Sequence, residues 1–189
     1  MKHFMFHVPL FSYRFTNWSD KFKEEILSQL ELSPLKKRER ERVQTDYANS
    51  ADYVKEEKEY HPPYKEFISG CIEDKLNDFC QEIQIPRNSL VIDDMWYETA
   101  RQYDNHCIHN HGAYGYSACW YVDFDNTEHT GTVFYSPFNN FLNGNTIDYQ
   151  PNVTEGDLVL FPATIMHETF YNESSKNRTV VSFNVSISL

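Results

Sequence analysis

Basic charge is scarce in this 189-residue sequence: 17 lysines and arginines stand against 28 aspartates and glutamates, for a formal net charge of −11. A surface with that balance repels a phosphate backbone, so nucleic acid is not the expected partner. Cysteine is sparse as well. Cys71, Cys80, Cys107 and Cys119 contain no C-x-x-C pair, and four in this length are no disulfide framework, so a reducing, cytoplasmic compartment is expected. Long apolar runs are missing too. Nothing approaches the roughly 20 residues that span a bilayer, and the opening MKHFMFHVPLF is interrupted by His7 and Pro9 and lacks a small-residue cleavage site. Neither a membrane partner nor export is expected. A metal site, which depends on local ligands, is untouched by these absences.

What is present is aromatic and apolar: 40% hydrophobic residues, with 14 Phe and 13 Tyr, enough for one real core. The chain reads as a single domain whose first part, residues 1–88, is helical and packs on a β core formed by residues 89–189. Ser19 can cap a helix in WSDKFKEEILSQL, where Phe22, Ile26 and Leu30 recur every four residues. The stretch LKKRERERVQTDYANSADYVKEEKEY, dense in alternating charge, reads as a solvated helix or loosely held segment. After Pro62 and Pro63, a second helix places Phe67, Cys71, Leu76 and Phe79 near one face and closes before Pro86.

From Ser89 onward the pattern changes to short runs rich in β-branched and aromatic residues, LVIDDMWYETA, YSACWYVDF, TVFYSP, DLVLFP and RTVVSFNVSISL, with Gly, Asn and Pro between them. With no helical period among them, they predict a mainly β fold of antiparallel strands, a sandwich or barrel. FNNFLNGNTIDYQPNVTEG is expected to be a long loop or hairpin tip.

Three of the eight histidines carry the functional argument. His109 and His111, in IHNHG, are two apart, and on a strand such residues face one side. By the same alternation His106 is expected on the opposite face. His167 follows the apolar strand of GDLVLFPATIM and can meet the first two if the strands share one sheet system. Three neutral imidazoles would leave coordination positions open for a substrate. H-x-H alone is a weak signal, common among surface and core residues; it sharpens when a distal His and a later strand-borne Arg follow in order, as His167 and Arg178 do. The other candidates read as structural: Asp123 and Asp125 end a strand, His129 lies exposed in the same turn, Cys107 and Cys119 have no partnering base, and Trp96, Tyr97 and Trp120 are mostly core, one of them able to line a pocket.

HNHGAYGYSACWYV, TVFYSP, GDLVLFPATIMHETF and RTVVSFNVSI together resemble the 2-oxoglutarate/Fe(II)-dependent oxygenase superfamily, and within it the small prolyl-hydroxylase-like oxygenases of marine bacteria and their phages. The resemblance spans Trp96 to the C-terminus, and it would place the protein in a host cytoplasm if phage-encoded. It implies a double-stranded β-helix, a jelly roll of cupin-like form, with Fe(II), 2-oxoglutarate and O2 as cofactor and co-substrates. It further implies His109, His111 and His167 as metal ligands, and Arg178 on the far carboxylate of 2-oxoglutarate. Tyr121 and Ser182 are further candidates for that carboxylate, although the superfamily often has Ser two residues after the Arg, where Val180 stands here. His111 occupies the position at which the superfamily normally has Asp or Glu, so an anionic oxygen ligand gives way to a neutral nitrogen. The implied reaction is a hydroxylase-type C–H oxidation of a small-molecule or peptidyl substrate.

Two other readings fit parts of the sequence. GDLVLFPATIMH also approaches the second cupin motif, which suggests a metal dioxygenase or isomerase without 2-oxoglutarate; the first cupin motif wants a Glu shortly after H-x-H, and GAYGYSA has none. A jelly roll retained as a non-catalytic binding protein would suit the helical arm and acidic surface.

Overall fold

The computed structural model describes residues 7–38, 42–47 and 61–188. The elements run β1 (Phe11–Tyr13), α1 (Asp20–Leu30), β2 (Lys36–Arg38), β3 (Val43–Thr45), α2 (Lys65–Glu82), a single 3-10 turn, β4 (Leu90–Ala100), β5 (His106–His109), β6 (Tyr116–Asp123), β7 (Val133–Tyr135), β8 (Asp148–Tyr149), β9 (Leu158–Pro162), β10 (His167–Thr169) and β11 (Arg178–Ile187). All pairings are antiparallel. They build a seven-stranded sheet in the order β1-β9-β6-β11-β4-β3-β2 and a four-stranded sheet in the order β5-β10-β7-β8. Two such sheets face to face are the double-stranded β-helix, or jelly roll, expected from the second half.

Alternation along the central strands divides the large sheet into two buried faces. Met95 and Tyr97, Ala118, Trp120 and Val122, and Val181 and Phe183 point to the outer face. There they pack with Ile26 and Leu30 of α1 and Ile68, Ile72, Leu76 and Phe79 of α2. Cys119, Tyr121, Val159, Phe161 and Val180 point inward, with Phe134 of the small sheet. The side chain of Ser19 accepts the N–H of Phe22, capping α1 as its sequence suggests. The buried stripe of α2 is Ile68, Ile72, Leu76, Phe79 and Cys80, whereas Phe67 and Cys71 lie at its margin; the stripe is rotated by one residue because the sheet, rather than the strongest aromatic, sets the contact line.

The charged stretch after α1 departs from the sequence reading. Its described residues form the β2–β3 hairpin, with Lys36 opposite Thr45, and β3 extends the large sheet beside β4. Tertiary anchoring wins there over helical propensity: the Asp46 carboxylate accepts the Tyr97 N–H at 2.9 Å and the Tyr64 hydroxyl at 2.6 Å. Residues 48–60 of that stretch lie outside the described residues. FNNFLNGNTIDY forms a turn-rich excursion that returns through β8, with Phe141 and Leu142 exposed.

Candidate active site

The small sheet brings the histidines together. β5 and β10 are neighbours, and His109 is the cross-strand partner of His167. His111 lies just beyond β5, where its N–H donates to the Ala163 carbonyl at the end of β9, 2.9 Å away. One ring nitrogen from each of the three lies within 4.8 Å of the others, and His111 Nε2 is 3.2 Å from His167 Nε2. Nitrogen ligands at about 2.1 Å on adjacent positions of one ion stand about 3 Å apart, so the donor set suits a single cation.

Orientation and protonation agree with that use. His109 Nδ1–H donates to the Cys107 carbonyl at 2.7 Å, and His167 Nδ1–H to the Ile165 carbonyl at 2.9 Å. Each bond holds the proton on Nδ1, so the ligating lone pair is on Nε2. Burial, with the neighbouring imidazoles, lowers His111 to about 4 and His167 to about 3, so both are neutral, the ligating form, at pH 7. The Trp96 ring lies against His111, with centroids 5.4 Å apart.

One cavity is lined by His109, His111 and His167 together with Arg178, Tyr121 and Ser182. Arg178 opens β11 and is 4% exposed; its Nη1 donates to the Thr130 carbonyl at 2.9 Å. Val180 and Ser182 follow it on the same face. Tyr121 is engaged with Thr132, donating to Oγ1 at 3.0 Å while accepting the Thr132 N–H at 3.2 Å. Burial pushes the Cys119 thiol up to about 12, which removes it as a nucleophile. A second, outer cavity of about 220 Å³ adjoins the first, walled by Thr45, Tyr47, Trp96 and Asn110.

Two sequence expectations fail here. His106 is not on the far face: β5 carries an extra residue opposite β10, since His109 pairs with His167 but His106 with Thr169, and this bulge turns His106 back. Its ring stacks on His109 with centroids 4.1 Å apart, and its Nδ1 lies 2.9 Å from the Glu98 carboxylate. Burial alone would raise Glu98; the His106 ring beside it and the Arg178 guanidinium hold it at about 2 instead. Glu98 went unnoticed in the sequence, its signal being a lone acid two residues from Trp96 in a strand buried on both faces. His129, expected exposed, is buried against Phe124: its Nδ1 accepts the Asp125 N–H at 3.0 Å, and its Nε2–H points to the Lys176 carbonyl.

Residues 94–184 match a family model described as "Putative 2OG-Fe(II) oxygenase". This stretch is a 2OG-Fe(II) oxygenase domain. The chain is thus an enzyme of the class that uses Fe(II), 2-oxoglutarate and O2. Solved oxygenases share its fold at low identity. A 2OG-Fe(II) oxygenase-family oxidoreductase from Burkholderia pseudomallei is 11% identical, with TM-score 0.64 over 94% of this chain and 84% of that one. HygX from Streptomyces hygroscopicus, with nickel, 2-oxoglutarate and hygromycin B bound, is 12% identical, with TM-score 0.64 over 96% and 84%. A viral collagen prolyl hydroxylase from Paramecium Bursaria Chlorella virus-1, in complex with 2OG, is 10% identical, with TM-score 0.59 over 95% and 96%. No curated protein matches the sequence.

Proposed function

We propose that the oxygenase domain binds Fe(II) through His109, His111 and His167 and the distal carboxylate of 2-oxoglutarate through Arg178, and that it oxidises a C–H bond of a small-molecule or peptidyl substrate. The observation that carries this reading is a three-nitrogen cluster and a buried guanidinium lining one cavity. Iron and 2-oxoglutarate supply the chemistry when bound: reductive activation of O2 coupled to oxidative decarboxylation, with succinate and CO2 as products.

The chain's own residues position that chemistry. The carbonyls of Cys107 and Ile165 orient two imidazoles, while the Arg178 fork, sequestered from water, suits a carboxylate better than an ammonium would. Ser182 and Tyr121 line the same cavity as further polar side chains, Tyr121 through the hydroxyl it shares with Thr132. The outer cavity, with its Trp96 and Tyr47 rings in edge contact at 5.1 Å, is the place for substrate. HygX binds hygromycin B and the viral enzyme is a collagen prolyl hydroxylase, so both small molecules and prolyl peptides belong in a substrate screen.

Among the described residues no helix is long and apolar enough to cross a membrane. With the net charge of −11, this supports a cytoplasmic enzyme that does not engage nucleic acid. The described parts of residues 1–88 and 89–189 act as one domain, a reading supported by a single buried cluster that draws on both.

Anaerobic addition of Fe(II) and 2-oxoglutarate is the direct test. The expected result is a weak visible charge-transfer band, followed by succinate on admission of O2. Arg178→Ala should remove the band while metal binding persists. Retention of band and succinate in that variant would mean that Arg178 does not hold the distal carboxylate, whereas absence of both in metal-loaded wild type would favour a cupin-like reaction independent of the 2-oxo acid.

A further inference from the structure

His-x-His leaves the candidate centre short of a negative charge. Three neutral imidazoles around a divalent ion, with the buried Arg178 behind them, place three positive charges in and around one cavity, and a bound dicarboxylate offsets only two. An enclosed cavity does not tolerate an uncompensated charge well. Among the described residues lining the inner and outer cavities, Glu98 is the one carboxylate.

Its placement is specific. Glu98 sits on β4 of the large sheet, on the inward face with Trp96, and its side chain is 12% exposed. Its Oε2 lies 2.9 Å from His106 Nδ1, and the His106 ring lies flat on His109, the planes within 18° of each other. β4 and β5 belong to different sheets, so the contact crosses the mouth of the jelly roll. The β5 bulge turns His106 to this side. Glu98 and His106 appear in the walls of both cavities.

We propose that Glu98, acting with His106, is a positioning residue of the metal centre: it supplies from β4 the carboxylate charge that His111 does not, and it fixes the plane of His109 through the stacked His106 ring. This inference rests on the metal reading above and deepens it. Glu98 and His106 do the work that, for a carboxylate in the ligand position, the ligand itself would do. Outer partners of metal-bound histidines typically change metal affinity ten- to a hundredfold when removed. A charge-sharing role also predicts coupling between positions 98 and 111 that a packing role would not produce.

The test is equilibrium Co(II) binding to the metal-free full-length protein, read from the visible d–d bands, for wild type, Glu98→Gln, His111→Asp and the double variant. Glu98→Gln is expected to bind Co(II) roughly ten- to a hundredfold more weakly. Adding His111→Asp to it should recover most of that loss, whereas His111→Asp in the wild-type background should gain far less. Thermal melting of the metal-free forms separates this from a loss of fold. His106→Asn, which keeps the carboxylate but removes the stacked ring, is expected to weaken Co(II) binding by a smaller factor and decides the matter should Glu98→Gln not fold. Wild-type affinity in Glu98→Gln or, if that variant does not fold, in His106→Asn, or strictly additive effects at 98 and 111, would overturn the proposal. Absence of Co(II) binding to wild type would instead overturn the metal reading on which it rests.

Discussion

At the scale of single residues the site depends on directionality. Arg178 offers a planar fork, already fixed on one side by the Thr130 carbonyl. Arg178→Lys keeps the charge and loses the fork, so 2-oxoglutarate should bind about ten- to a hundredfold more weakly with metal affinity little changed; anaerobic calorimetry with Mn(II) in place of Fe(II) measures both. Gly115 illustrates a backbone constraint. It has φ +83°, and a Cβ there would collide with the Val185 carbonyl oxygen of the neighbouring strand. Gly115→Ala is expected to cost about 2 kcal/mol or more in urea unfolding, from the left-handed backbone and the clash together.

At the scale of elements, the β2–β3 hairpin and the β5 bulge decide what surrounds the histidines. β3 places Thr45, and the residues just beyond it place Tyr47, at the outer cavity, and Asp46 ties that segment to β4 and α2. Burial pushes the Asp46 carboxyl above its ordinary range, against the hydrogen bonds from Tyr64 and Tyr97 that favour the anion. An acid raised on folding contributes most below its unfolded value of about 3.9, and the contribution is lost as pH rises through the folded value. Asp46→Asn should therefore gain on wild type between pH 4 and pH 7, as denaturation curves at the two pH values would show. An unchanged difference would mean that folding does not raise the Asp46 carboxyl. The hairpin itself was illegible in the sequence, because alternating Lys, Arg and Glu read as a solvated helix until β4 offers an edge to pair with.

At the scale of the whole molecule, the large sheet is covered on both faces, by α1 and α2 outside and by the small sheet inside. Ile72 is fully buried in the outer layer. Ile72→Ala should cost about 2–5 kcal/mol and still unfold in one transition, with far-ultraviolet dichroism and tryptophan fluorescence coincident. Separate transitions would split residues 1–88 from the jelly roll. The sequence alone determined the mainly β class of the second half, the ordered set His109, His111, His167 and Arg178, and the two helices, since period, spacing and side-chain chemistry are local properties of the chain. What surrounds the site is not local. The bulge that brings His106 onto His109 and the strand pairing of a charged segment arise from register between strands distant in sequence, the Glu98 contact from the facing of two sheets and the burial of His129 from its packing on Phe124 and the Lys176 carbonyl, none of which exists until the chain has folded.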